Sequence, residues 1–417
     1  MRVCLSKSEK ESSTILIPSS KSLSHRYLIA ASLCKETSII RRLADNQDIQ
    51  ATKACLEKRG ACFNEKGDTT YVTGVEGFDH YDGSLLDSKE SGSTLRFLLP
   101  LFAQSGKQVS FRGQGELLKR PLTVYEELYD IRHDQSQILV QGKLEPGTYP
   151  IKGNISSQFI SGLLLLLPLL KDDSSLIIQE PFESKSYVLL TIDVLKKAGI
   201  DVCLDKNTIF IKGNQSYSPF DVRVSGDDSQ AVFFAVLSLL AQKTIEVQGL
   251  DHNSRQGDHI FLKYLSDAGC LIHQTKDGYR FQEGKLQSFN ADLQDCPDLG
   301  PALFVLASAC PGTSVFTHTD RLRLKESDRI SCMKEELNKL NVEFTQQDDT
   351  VFITGRKLVG DVVFDCHNDH RIAMALSVLS AAIDGKVCIE HGQAVKKSYP
   401  SFYEDLNKTG IEVKYYD

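Results

Sequence analysis

A chain of 417 residues is longer than one ordinary hydrophobic core supports, so two domains are expected. Its composition, 41% hydrophobic and 25% charged, is that of an ordinary globular protein. The net charge of −7 argues against general binding to nucleic acid or membrane surfaces, but not against a local positive pocket.

Taken in chain order, the opening MRVCLSKSEK lacks the apolar stretch of a secretory signal, and residues of about 2–17 read as a strand. Small or polar residues then lead directly into an apolar helix six times: SSKSLSHRYLIAASL from Ser19, ESGSTLRFLLPLFA from Glu90, SSQFISGLLLLLPLL from Ser156, GDDSQAVFFAVLSLLA from Gly226, PDLGPALFVLASA from Pro297 and NDHRIAMALSVLSAA from Asn368. Successive starts lie roughly 65 to 72 residues apart, the signature of an arrayed unit. The longest apolar run, Ile160 to Leu170, is about half the ~20 residues a membrane helix needs, and Pro168 interrupts it.

A second signature follows in phase. Amphipathic helices end in glycine or asparagine and run into a strand in CLEKRGACF, VLKKAGIDV, YLSDAGCLI, ELNKLNVEF and DLNKTGIEV. Strands ending in glycine come next: TYVTG, ILVQG, IFIKG, YRFQEG and VFITG. Each unit reads helix, strand, helix, strand, strand, a βαβαββ-like α/β module. The second is the poor copy, with room for only a short helix between Pro121 and Gln141 and no helix-stop glycine. The first helix of each unit is apolar nearly all round and should be buried; the second has a charged face and should lie outside. Six buried helices are too many for one core, so two lobes of three units are expected. The chain should cross between them near Pro18 to Lys21 and near Ser225, giving one lobe from 1–20 plus 225–417 and another from 21–224. The N-terminal strand should complete the lobe that the last unit leaves unfinished.

The eleven cysteines show no C-x-x-C pair and no Cys/His cluster at zinc spacing, which predicts reduced, mostly buried thiols in a cytosolic protein, with neither a disulfide framework nor a structural metal. The buried helices open with Ser, Asp, Asn, Gly or Thr, good N-cap residues, and helix N-termini attract anions. If these ends face a cleft between the lobes, an acidic protein acquires an anion-attracting site. The polar residues there are Lys21, Ser22, Arg26, Ser156, Ser157, Gln158, Asp298, Asp369, His370 and Arg371. Ordinary capping is the competing reading for any one helix. The stretch RLRLKESDR from Arg321 reads as a strand that places Arg321, Arg323 and Lys325 on one face, which requires either a solvated edge or a bound anion.

The ordered set SSKSLSHR, ESGSTLR, KRP, SSQF, GDDSQA, CPDLGPAL, LRLKESDR, NDHRIAMA and KKSYPSF, spanning Ser19 to Tyr403, resembles the 5-enolpyruvylshikimate-3-phosphate synthase family. The resemblance implies a two-lobed inside-out α/β barrel with the active site between the lobes. It also implies transfer of the enolpyruvyl group of phosphoenolpyruvate to the 5-hydroxyl of shikimate 3-phosphate, with phosphate released through a tetrahedral intermediate. No cofactor and no metal are implied, nor any nucleic-acid or membrane partner. Closure of the lobes on shikimate 3-phosphate is expected, in a protein expected to be a cytoplasmic monomer.

Carried over residue by residue, the likeness makes Lys21, Arg120, Arg329, Arg371 and Lys397 the cations around phosphoenolpyruvate, with Gly92 giving that ligand access to backbone and Gln158 touching both substrates. Ser22 and Arg26 would hold the carboxylate of shikimate 3-phosphate and Ser156, Ser157 and Ser184 its phosphate, with Lys21 also contacting this substrate, Tyr187 near the ring and Asp298 and Lys325 on its hydroxyls. Lys21 would also act as an acid, Asp298 as base for the 5-hydroxyl, and Glu326 as carrier of the methylene proton. Gly92 would leave room for glyphosate in the phosphoenolpyruvate pocket. Asp227 reads as a cap, and His25 and His318 as structural or surface residues.

Two positions depart from the pattern: Glu90 stands where asparagine is usual, and Arg321 stands where asparagine often contacts a substrate hydroxyl. Glu90 should be protonated, paired with a cation such as Arg120 or Lys21, or turned away. A UDP-N-acetylglucosamine enolpyruvyl transferase is disfavoured because RGQGELLKR carries no cysteine or aspartate and Ser22 follows Lys21. A non-catalytic or RNA-end-processing repeat protein would need a basic nucleotide-directed surface or an adenylating histidine, and neither is specified.

Overall fold

The structure, a computed structural model, describes residues 1–7 and 12–416. Six four-stranded sheets share one strand order. In each, an outer strand runs parallel to its neighbour, and the remaining two pairings are antiparallel. In the second unit, for example, Leu86–Asp87 runs parallel to Val109–Arg112, which pairs antiparallel with Gln137–Gln141, itself antiparallel to Asp130–His133. Alternation sets which face is buried: Val109 and Phe111 turn inward while Arg112 is exposed.

The chain forms two compact units, one from Met1–Pro18 with Ser225–Asp417, the other from Ser19–Val224. Within Ser19–Val224, the sheet of the first repeat takes its parallel outer strand from Asp221–Arg223, which lies beside Thr37–Arg41. Within the other unit, Ser12–Leu16 runs parallel to Thr244–Gln248, while Arg2–Lys7 is inserted antiparallel between Val387–Glu390 and Ile411–Tyr416. The single strand expected over 2–17 is therefore two strands serving two different sheets, with residues 8–11 of that expectation outside the described residues.

The first helix of each repeat is buried as its apolar circumference dictates: in Gly300–Ala309 every residue from Gly300 to Ser308 is buried. The second helices are amphipathic, and in the second repeat this element shrinks to one turn, Thr123–Glu126. Their stop residues adopt the left-handed backbone that ends a helix, with φ of 102° at Gly60, 78° at Gly199, 101° at Gly269, 55° at Asn341 and 88° at Gly410. No helix among the described residues is long and apolar enough to cross a membrane.

The glycine that closes the strand signature has a different cause. A Cβ added to Gly74 would lie 2.1 Å from the carbonyl oxygen of Ser32, one on Gly213 2.2 Å from that of Asp172, and one on Gly355 1.9 Å from that of Cys310. Each of these carbonyls lies at or just past the end of its repeat's buried helix segment, so the strand can pass only without a side chain. Gly355→Ala is expected to lower the unfolding free energy by about 1–3 kcal/mol. Gly147→Ala, whose methyl would meet nothing nearer than 3.7 Å, should remain close to wild type in the same denaturant titration.

Two sequence expectations are corrected. Cys4 and Cys388 are directly opposed on antiparallel strands and form a disulfide; the other nine cysteines are free. The partners are 384 residues apart, so local spacing could not reveal them. The stretch RLRLKESDR is no strand: Asp320–Leu324 is a 3-10 turn leading to the helix Arg329–Asn338. Leu322 is buried while Leu324 is exposed, and Arg323 binds Asp328 at 2.6 Å instead of sharing a face with its cationic neighbours.

Candidate active site

Within Ser19–Val224, the three buried helices begin with serine caps. Ser20 accepts from the Leu23 N–H, Ser91 from Thr94 and Ser156 from Gln158. These bonds hold the residues of SKS, SGS and SSQ in fixed positions at the helix starts. Lys21, the first helical residue, places Nζ 2.9 Å from Asp48 Oδ2, with both side chains largely buried.

Around Gly92 the second and third helices meet. A Cβ there would stand 3.1 Å from Arg120 Nη1, 3.4 Å from Gln158 Oε1 and 3.5 Å from Arg96 Nη1. Arg96 Nη1 donates to Gln158 Oε1 at 2.8 Å, and Gln158 Nε2 donates to Ser93 Oγ at 3.0 Å. The absent side chain thus leaves two guanidinium groups and an amide converging on the Gly92 backbone. Glu90 lies beside the loop that precedes Arg120: a Cβ on Gly115 would be 2.9 Å from its Oε2.

Arg26 is almost fully buried, stacked 4.9 Å above Phe97, and bonds only neutral groups: Thr191 Oγ1, Ser161 Oγ, and the Ser22 and Tyr187 carbonyls. Burial brings its pKa down to about 10, the signature of a desolvated cation held without a carboxylate against it. Ser184, buried in left-handed backbone with φ 49°, precedes the helix Lys185–Lys197 that carries Tyr187. His25 is buried against Thr52, and burial, reinforced by Lys21 and Arg26, holds its pKa well below the usual value, so it is a neutral core residue.

The other unit holds a denser arrangement. Three helix starts contribute: Asp227 caps Asp228–Ala241 by accepting from Ser229, Asp369 caps His370–Leu379 by accepting from Arg371, and Gly300–Ala309 is entered through the 3-10 turn Pro297–Leu299. Asp298, within that turn, takes Lys325 Nζ at 3.1 Å and Arg329 Nη1 at 3.0 Å on Oδ1, and Arg371 Nη2 at 2.9 Å on Oδ2. Arg329, 1% exposed, also binds Asp369 through Nε at 2.8 Å and Glu326 through Nη2 at 2.6 Å. Arg371 reaches the Ser229 carbonyl and hydroxyl, and Lys397 donates to the Asn368 carbonyl.

Charge follows from this packing. Burial opposes ionisation of Arg329, but Asp369, Glu326 and Asp298 outweigh it and raise its pKa. Burial lowers the pKa of Lys325, with Arg329 and Arg321 acting in the same direction against the pull of Asp298. A lysine so placed releases a proton more readily than a surface lysine.

The family described as "EPSP synthase (3-phosphoshikimate 1-carboxyvinyltransferase)" matches residues 5–406. The chain belongs to the EPSP synthase family. The 3-phosphoshikimate 1-carboxyvinyltransferase of Clostridium kluyveri is 38% identical over 409 residues, covering 96% of this chain and 95% of that relative. That of Clostridium novyi is 39% identical over 413 residues, covering 95% and 94%. Two solved structures agree in fold alone: EPSP synthase from Acinetobacter baumannii, with TM-score 0.81, 22% identity and 100% of both chains covered, and the enolpyruvyl transferase NikO from Streptomyces tendae, with TM-score 0.79, 16% identity and 99% and 98% covered. Membership makes the chain an enzyme of the shikimate pathway that transfers an enolpyruvyl group from phosphoenolpyruvate to shikimate 3-phosphate.

Within this EPSP synthase-family chain the structure gathers the expected residues in two sets. Lys21, Ser22, Gly92, Ser156, Ser157 and Gln158 sit at or within one turn of the buried helix starts of one unit, Arg26 lies in the second turn of the first, and Arg120 reaches Gly92. Asp298, Lys325, Glu326, Arg329 and Arg371 form one ion-pair network in the other, with Lys397 held on Asn368. Sequence reasoning gave no role to Asp48, Arg96 or Ser229, which hold Lys21, Gln158 and Arg371, and placed Asp369 only at a helix start, not as the partner of Arg329. Their only visible signal was position: Asp48 in the first turn of its helix, Arg96 inside ESGSTLR, and Ser229 and Asp369 inside the motifs GDDSQA and NDHRIAMA.

Proposed function

We propose that the chain carries out this transfer at the 5-hydroxyl of shikimate 3-phosphate by addition and elimination, with the roles that the family likeness assigns. In Ser19–Val224, Ser22 and Arg26 take the carboxylate of shikimate 3-phosphate, and Ser156, Ser157 and Ser184 its phosphate. Lys21, Gly92, Arg120 and Gln158 of that unit bind phosphoenolpyruvate. In the other unit, Arg329, Arg371 and Lys397 bind phosphoenolpyruvate, and Asp298 and Lys325 bind the hydroxyls of shikimate 3-phosphate.

The observation that carries this reading is the Asp298 carboxylate shared by Lys325, Arg329 and Arg371, with Glu326 on the same guanidinium. Three cations on one carboxylate keep it anionic and a weak base. A second polyanion that draws those cations away returns basicity to Asp298, which then takes the 5-hydroxyl proton as that oxygen bonds to C2 of phosphoenolpyruvate. Glu326, protonated from solvent once Arg329 turns to phosphoenolpyruvate, delivers that proton to C3, closing the tetrahedral intermediate. In the elimination Glu326 recovers a proton from C3, the C2–O bond to phosphate breaks, and Lys21 protonates the leaving phosphate; Asp298 then releases the hydroxyl proton to solvent and Lys21 regains one from it. Fixed cations stabilise the charge that develops on the transferred groups.

The cytoplasm is the expected compartment and a monomer the expected state. Phosphate release from phosphoenolpyruvate should require shikimate 3-phosphate and should not respond to UDP-N-acetylglucosamine; the reverse preference would overturn the assignment. Gly92→Ala should raise the KM for phosphoenolpyruvate about tenfold or more, the scale of one displaced charged hydrogen bond. It should also weaken inhibition by glyphosate, and unchanged inhibition would remove Gly92 from the pocket.

A further inference from the structure

Asp228 is a buried carboxylate with no part in the chemistry described above. It is the first residue of the helix Asp228–Ala241, and its side chain is wholly removed from solvent. Its Oδ2 accepts from Ser254 Oγ at 2.6 Å and lies 3.2 Å from His259 Nδ1. Its Oδ1 accepts no hydrogen bond among the described residues. His259 is mostly buried, with its ring 6.0 Å from that of Tyr279.

The next residue of the helix, Ser229, holds Arg371. Its carbonyl accepts from Arg371 Nη1 at 3.0 Å and its hydroxyl from Arg371 Nη2 at 2.9 Å. On the other side, Gln256 Nε2 donates to the Gly226 carbonyl at 2.8 Å, and the Gln256 N–H donates to Ser254 Oγ at 3.3 Å. Segment 251–259 therefore fastens both the approach to this helix and its first turn, and the first turn fastens Arg371.

We propose that Asp228, Ser254 and His259 are positioning residues whose ion pair and hydrogen bond hold the helix start, and with it Arg371, in place for phosphoenolpyruvate. This rests on Arg371 being a phosphoenolpyruvate ligand. A buried carboxylate beside a second one, Asp227, is costly unless a cation faces it. The charged or titratable groups around the imidazole are Asp228 on the helix, Asp251 and Arg255 on the preceding loop, Asp258 in its own turn and Tyr279 on the facing strand. Burial opposes charge on His259, but Asp228 and Asp251 outweigh it and raise its pKa. Burial also raises the pKa of Asp228, against the pull of His259 and Ser254. The pair exists between these two pKa values: it is lost as pH rises through that of His259, and as pH falls through that of Asp228. Once His259 is neutral, Asp228 keeps a single hydroxyl donor in a buried place, so it shifts or takes up a proton and the turn loosens around Ser229.

Steady-state kinetics of the full chain across neutral and alkaline pH test this. In the wild type the KM for phosphoenolpyruvate should rise about tenfold through one ionisation, the scale of one weakened hydrogen bond to a charged group. His259→Gln should show the raised KM at every pH, with kcat little changed. Asp228→Asn, whose amide needs no cation, should flatten the profile at the low value. Added to His259→Gln, it should recover most of the lost affinity, which a merely structural role would not produce. Arg371→Lys separates the two ways of failing: an unchanged KM there removes the ligand assignment and the brace together. A raised KM there, with folded His259→Gln and Asp228→Asn following the wild-type profile, overturns the brace alone. Thermal melts establish folding; where His259→Gln is not folded, the Asp228→Asn profile decides.

Discussion

Arg329→Lys is expected to lower kcat/KM for phosphoenolpyruvate about 100- to 1,000-fold, the scale of a lost charge-stabilising donor in a closed site. The guanidinium is planar and engages three carboxylates along separate edges: Asp369 at 2.8 Å, Glu326 at 2.6 Å and Asp298 at 3.0 Å. A lysine ammonium is a single point on a flexible stem and cannot hold all three. Asp369 is fully buried, so a lost partner leaves carboxylate charge without compensation. Breaking a buried pair of this kind costs about 3–5 kcal/mol of stability. The two effects are separable: urea unfolding reports the structural loss, and steady-state kinetics on the folded fraction report the catalytic one. Retention of kcat/KM within a small factor would remove Arg329 from the clamp.

Glu326→Gln carries the other large effect. The amide oxygen still accepts from Arg329, so the ion network loses one charge but keeps its geometry, and the fold should persist. What disappears is a group able to give and recover a proton. We expect kcat to fall about 100- to 10,000-fold with little change in the KM for shikimate 3-phosphate. In deuterated water the wild type should incorporate deuterium into the methylene carbon of phosphoenolpyruvate during turnover, and the variant should not. Normal incorporation by the variant would assign the proton transfer elsewhere, with Lys21 and Lys325 the groups to examine next.

Local pattern reveals a great deal here because the architecture repeats. The buried helices, their serine and aspartate caps and the left-handed stops at Gly60, Gly199, Gly269, Asn341 and Gly410 all depend on residues within one turn of each other. What stayed hidden was pairing across long separations. Nothing near Cys4 signals Cys388, and nothing in residues 2–17 shows that the segment divides between two sheets. In RLRLKESDR, the alternation that suggests a strand fits a 3-10 turn equally well when only Leu322 needs burial. The site was legible where whole motifs stood together, as in ESGSTLR and LRLKESDR. It was not legible at Asp48 and Arg96, which hold another side chain in place.

The borrowed strands have a consequence for biogenesis. Once Asp221–Arg223 has left the ribosome, Ser19–Val224 possesses every strand its sheets require and can reach its native state during translation. Arg2–Lys7, made earlier, must wait for Val387–Glu390 and Ile411–Tyr416, which emerge at the end of synthesis. Nearly the whole chain is therefore translated while this early segment keeps two unsatisfied edges. The surrounding unit matures last, and a nascent-chain chaperone would find its natural target there.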